Sequence, residues 1–136
     1  MPKRDRRDLA AVLLRRAEED QFVVRELCGS PRTPDSVLGF HAQQAAEKLI
    51  NAVLAANEID YERSHSLRYL ADLLDAGRIE LPVDPDELDA LTGYAVELRY
   101  DDPFDHEELD RDLALELVDE LVRWARGEVE RRGPGS

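Results

Sequence analysis

A single cysteine, Cys28, leaves these 136 residues without the means for an internal disulfide. That count fits a reducing compartment and leads us to expect a cytoplasmic protein. Aromatic residues are scarce, at 6% of the chain. A core must therefore be assembled from Leu, Ala and Val. No apolar run approaches the roughly 20 residues that cross a bilayer, so no membrane association is expected. The basic start, Met1-Pro2-Lys3-Arg4-Asp5-Arg6-Arg7, is not followed by the uninterrupted apolar segment of a signal peptide. The chain also lacks a glycine-rich phosphate loop, paired Cys or His residues at zinc spacing, and a Gly-x-Ser-x-Gly elbow. Enzyme classes built on those devices are excluded.

Acid dominates what is present. The formal charge is −13, and it is uneven: residues 1–16 carry +4 and the remainder −17. Affinity for nucleic acid comes largely from Lys and Arg neutralising phosphates. Such a chain should not coat RNA or DNA, and any polyanion contact must be local.

Helical periodicity runs throughout, without a strand pattern or a repeat. Apolar positions Leu9, Val12 or Leu13, Ala17, Val24 and Leu27 predict a first helix over about 4–27, ended by Cys28-Gly29-Ser30-Pro31 with Gly29 as a left-handed cap. Thr33 as N-cap and Pro34 in the first turn open a second helix, about 34–57. Ser64 or Ser66 opens a third, about 66–76, which stops at Gly77. Asp84-Pro85-Asp86-Glu87 starts a fourth, burying Leu88, Leu91, Ala95 and Leu98, and Pro103 marks its end. A capping box from Asp105 to Glu108 predicts a fifth helix over about 106–131, burying Leu109, Leu113, Leu117, Leu121 and Trp124. The expected fold is all-α, an up-and-down antiparallel bundle of four to five helices. One domain over residues 1–132 is expected, with 133–136 frayed.

The second helix is the most distinctive element. Ala42, Ala45, Ala46, Leu49 and Val53 form a seam at steps of three and four, widened by Ile50 and Leu54. Gln43, Gln44, Glu47 and Lys48 flank it, and Ser64-His65-Ser66-Leu67 follows some ten residues after the helix signature. Gln43 with Glu47, and Gln44 with Lys48, have the i,i+4 spacing of solvated surface pairs. His41, one turn before Ala45, reads as a partly buried residue bonded to a neighbour, and His65 as one that fixes the loop before the third helix.

This signature resembles that of the HEPN domain family, from about Asp8 to Val129. The resemblance implies a helical bundle that dimerises, often beside a minimal nucleotidyltransferase in a two-component module of toxin–antitoxin type. It also implies catalytic residues. Many RNA-cutting members carry an Arg and a His four to six residues apart at the place of Arg99 and His106, which have six residues between them. In such metal-independent, cofactor-free ribonucleases the Arg stabilises charge on the phosphate and the His moves a proton. Two features depart from the nuclease pattern: Tyr100 follows Arg99 where Asn is common, and Pro103 intervenes before His106. The Arg-Tyr pair resembles a branch that often lacks the His.

On the residues alone, Arg99 can instead pair with Asp101 or Asp102, and His106 can be a solvated first-turn residue. The acids around His106 favour its imidazolium form. They explain themselves as caps and dipole partners more economically than as a metal site. The family reading places Gln44, Glu47, Lys48, His65 and Tyr100 near a nucleotide or partner protein. Asn51 stands where many members have a second Lys, which removes one phosphate contact. The alternative to a ribonuclease is a non-catalytic nucleotide- or substrate-binding subunit, or a scaffold, for the nucleotidyltransferase.

Overall fold

A computed structural model describes residues 3–95 and 108–132. Its helices are α1 (Lys3–Leu27), α2 (Asp35–Ala56), α3 (Leu67–Ala76), a short α4 (Pro85–Asp89) that tightens into a 3-10 turn (Ala90–Tyr94), and α5 (Arg111–Arg131). The described residues contain no strand, and the all-α bundle expected from the sequence is what forms.

α2 is the central element. Leu38, Ala42, Ala45, Ala46, Leu49, Ile50, Val53 and Leu54 are almost fully buried, covered by α1 on one side and α5 on another. The alanine seam allows this: without long side chains, α1 can come close to the α2 backbone. Ala10 of α1 meets Ala52 and Ala55 of α2, with Val129 of α5 packed beside them. α2 and α5 thus run in the same sense, both antiparallel to α1. Polar ties fix α1 against α5: Arg25 and Gln21 both donate to Asp119 Oδ1 at 2.8 Å, and Arg126 donates to Glu18 at 3.0 Å. The smaller elements, α3, α4 and the 3-10 turn, close the remaining flank.

Helix ends follow local chemistry with instructive exceptions. Ser66 caps α3 by accepting from the Tyr69 amide, and its own amide donates to Ser64 Oγ. The left-handed residue that follows is Arg78 (φ 61°) rather than Gly77 (φ −84°). The amides of Arg78 and Ile79 bond back to Asp75 and Leu74, and Ile79 packs on the core. α2 ends the same way, with Glu58 left-handed and Ile59 bonded to Leu54. The apolar residue that follows fixes each cap, so no glycine is required at the strained position. Gly29 does not take a left-handed φ either.

Three expected starts and stops are corrected. Pro34, not Thr33, occupies the N-cap of α2, and it makes no side-chain cap bond; the Thr33 carbonyl is held by Arg111. The fourth helix tightens after one turn, where Thr92 Oγ1 turns back to Asp89 and accepts from the Leu67 amide. Leu88, Leu91 and Ala95 are buried there as expected, while Leu98 lies outside the described residues. α5 begins at Arg111 with Asp110 as its cap, accepting from the Leu113 amide at 3.0 Å, five residues later than the Asp105–Glu108 box implied. The Leu109 amide is bonded to Asp35 instead of entering the helix. Asp105, the first residue of that box, lies outside the described residues.

Gly39 of α2 is required by close approach. A Cβ there would overlap the Tyr94 ring, which lies directly on the α2 backbone. Gly39→Ala gains about 1 kcal/mol of helix propensity but must displace a packed aromatic ring, a strain of about 1–3 kcal/mol. A net loss of about 1 kcal/mol is expected in urea unfolding; an increase in stability would show that Tyr94 yields without cost.

Candidate functional site

The polar edge of α2 is organised around two acids. Asp20 of α1 is only 8% exposed and serves two donors: His41 Nδ1 lies 2.9 Å from one carboxylate oxygen and Lys48 Nζ 2.6 Å from the other. A carboxylate only accepts, so Nδ1 carries the proton. Lys48 therefore does not reach Gln44, and the solvated Gln44–Lys48 pair does not form. Gln44 instead donates to Gln43 Oε1 at 2.8 Å.

The second acid is Glu47. Its Oε1 accepts from His65 Nδ1 at 2.7 Å and from Gln43 Nε2 at 3.2 Å. The same Gln43 amide donates to the His65 carbonyl at 3.2 Å. The expected Gln43–Glu47 pair exists but is not solvated, because Gln43 is fully buried. His65, more than half exposed, is thus held at both its ring and its backbone, which fixes the loop before α3. Tyr61 in the same loop has its phenol raised above the usual value of 10, first by burial and then by the negative Glu47.

Chemically, this edge is an internally paired lattice joining α1, α2 and the loop before α3. Lys48 offers a phosphate only a charge that Asp20 already holds. Asn51, with its buried Oδ1 lacking a protein partner, adds no cation. The described residues contain no group of three or more His, Cys, Asp or Glu side chains placed to hold a metal ion.

Asp20 is the residue sequence reasoning missed. Ala10, Leu13, Ala17, Asp20, Val24 and Leu27 alternate at three and four along α1, so Asp20 is the one acid in an otherwise apolar register. An acid at such a position needs a partner, and that was the available signal. Asp20→Ala leaves the Lys48 ammonium and the His41 N–H without their shared carboxylate. Full burial would make that loss about 3–5 kcal/mol, but His41 and Lys48 are each more than a quarter exposed. We expect a loss of about 2 kcal/mol in chemical unfolding after screening is allowed for; a loss below about 0.5 kcal/mol would show that the network is incidental.

Arg99, Tyr100 and His106 lie outside the described residues, as do Asp101, Asp102, Pro103 and Asp105. Tyr94 and Leu109 border a groove of about 400 Å³, whose walls include Leu91, Leu113 and Leu117. Near it, Arg111 binds Asp35 and the carbonyls of Cys28, Ser30 and Thr33, joining the start of α5 to the α1–α2 loop.

Comparison with known proteins adds a family. Residues 10–128 match the model described as HEPN domain. Over 54 residues the chain is 43% identical to a protein of Methanocaldococcus jannaschii named "Putative toxin MJ1304", a match covering 40% of this chain and 34% of that one. The chain thus spans about a third of that relative's length. No solved structure matches.

Proposed function

The chain belongs to the HEPN domain family, and on that premise we propose that it is the RNA-cleaving, toxin-like member of a two-component module whose other member is a minimal nucleotidyltransferase. The observation that carries this reading is the extent of the family match, which runs through both Arg99 and His106. The likeness to a protein named as a toxin points the same way.

In this reading the ribose 2′-hydroxyl attacks the neighbouring phosphorus and the 5′-oxygen leaves. His106 takes or supplies the proton, and the Arg99 guanidinium stabilises charge building on the phosphate oxygens. No metal or cofactor is needed. One protomer supplies one Arg and one His, so a homodimer brings two sets together. Gln44, Glu47, Lys48 and His65, on the paired edge that joins α1, α2 and the loop before α3, are assigned to contact with a nucleotide or the partner protein. Tyr100, next to Arg99 in the chain, is the residue we assign to contact with the nucleotidyltransferase. The work is cytoplasmic.

The charge favours a second reading. At −13, and with Lys48 paired to Asp20, the chain is strongly acidic and its α2 lysine is already neutralised. A non-catalytic subunit that binds a nucleotide or supports the nucleotidyltransferase fits those facts. Induced expression separates the two. Growth arrest with fragmented RNA in the wild type, absent in Arg99→Ala/His106→Ala, supports the ribonuclease. Normal growth with intact RNA moves the weight to the subunit.

A further inference from the structure

The edge of α2 holds two histidine–carboxylate pairs of one design. His41 Nδ1 lies 2.9 Å from Asp20, and His65 Nδ1 lies 2.7 Å from Glu47. A carboxylate only accepts, so a neutral ring held this way carries its proton on Nδ1 and keeps a lone pair on Nε2. Two differences separate the pairs. The His41 side chain is 29% exposed and that of His65 57%. Asp20 also faces the Lys48 ammonium at 2.6 Å, so its charge is already answered. Glu47 has no Lys or Arg partner among the described residues, and its other bond comes from the neutral Gln43 amide. Its charge is felt nearby, where it adds to the burial that raises the Tyr61 phenol. Glu47 can therefore both set the tautomer of His65 and offset the positive charge that forms when Nε2 takes a proton.

The ring is also held in place. Gln43, fully buried, bonds both Glu47 and the His65 carbonyl. Arg63, exposed and without a hydrogen-bond or ion-pair partner among the described residues, stands two residues earlier in the same loop. That spacing puts the two Cα atoms within about 7 Å of each other. A cation and a fixed proton acceptor this close suit a phosphate ester with a neighbouring hydroxyl. Cleavage of RNA removes one proton and delivers another, so a scheme with a single imidazole leaves one transfer unassigned. We propose that His65, with Glu47 as its positioning residue, is the proton acceptor in RNA cleavage. This rests on the ribonuclease reading and adds a catalytic residue to it. His65 Nε2 takes the ribose 2′-hydroxyl proton as the O2′–P bond forms and the P–O5′ bond breaks. The departing 5′-oxygen picks up its proton from water, or from His106 in the scheme above.

His65→Asn separates this role from a structural one. The new amide places an N–H where Nδ1 stands, so the bond to Glu47 is kept, and the bond from Gln43 goes to the backbone. Nothing then stands in the place of Nε2. His41→Asn makes the matching change in the other pair, which has no part in the reaction. All variants are compared with the wild type at a temperature where thermal melting shows each to be folded. With a single-stranded oligoribonucleotide, we expect His65→Asn to lower kcat at least about 10²-fold with KM little changed, and His41→Asn to stay within about twofold of the wild type. Free imidazole should restore cleavage by His65→Ala at least about tenfold, because the vacated position is open to solvent and a dissolved base can replace the lost one. Wild-type kcat in His65→Asn, an equal loss in His41→Asn, or no response of His65→Ala to imidazole overturns the proton role and leaves the ribonuclease reading standing. RNA left intact by the wild type overturns that reading, and the role of His65 falls with it.

Discussion

Arg111→Ala will lower the unfolding free energy by about 3 kcal/mol, one of the largest single-residue losses expected outside the apolar core. The guanidinium joins the start of α5 to the start of α2 and to the α1–α2 loop. Its Nε meets Asp35 at the start of α2, and its terminal nitrogens reach the carbonyls of Cys28, Ser30 and Thr33 in the α1–α2 loop. The side chain is about a quarter exposed. Hydrogen bonds to a charged group contribute about 1.5–3 kcal/mol each in isolation, but carbonyls left behind at a loop can take up water. The sum is therefore well below the additive total. Arg111→Lys should recover little, because one ammonium cannot span a carboxylate and three carbonyls lying in different directions. Guanidinium unfolding of the three proteins checks this. A loss under 1 kcal/mol for Arg111→Ala, or full recovery by Lys, would contradict the clamp.

The second large effect is catalytic. Arg99→Ala and His106→Ala should each reduce RNA cleavage by about 10²–10⁴-fold, the range in which a positioned proton carrier or an electrostatic donor contributes. The double variant should be little worse than the weaker single one, since groups that act together are not additive. Thermal melting should stay near that of the wild type, which separates this loss from the structural ones above. Equal cleavage by the wild type and all three variants would assign any activity to other residues or to a contaminant.

How far the residues announced this fold varies along the chain. α1, α2 and α3 were legible to within a residue or so, because strong punctuation and an unbroken apolar period agree there. The cap at Asp84 was legible too, accepting from the Asp86 amide as its position suggests. The start of α5 was not. Asp105 and Glu108 have the local capping spacing, but Asp35, more than seventy residues away in sequence, takes the Leu109 amide. No local pattern encodes that bond.

The site shows the same division. Gln43 and Glu47 were read as a surface pair from their spacing, yet Gln43 also lies on the register of Gly39, Ala46 and Ile50, which the packing of α2 buries. Asp20 had a signal, an acid in an apolar register, while Arg111 had none, since its partners are the Asp35 carboxylate and the backbone carbonyls of a loop, all more than seventy residues away in sequence. The bundle was legible in composition and periodicity, and the family in the resemblance carried by the α2 signature and Ser64-His65. The contacts that arrange its working parts are set by tertiary neighbours.

The most direct test of the account is RNA cleavage by the purified wild-type chain with excess EDTA present. The account predicts cleavage that persists in the chelator, leaves 2′,3′-cyclic phosphate ends from attack by the 2′-oxygen, and disappears in Arg99→Ala/His106→Ala. RNA left intact by the wild type, or cut equally by the double variant, would contradict it.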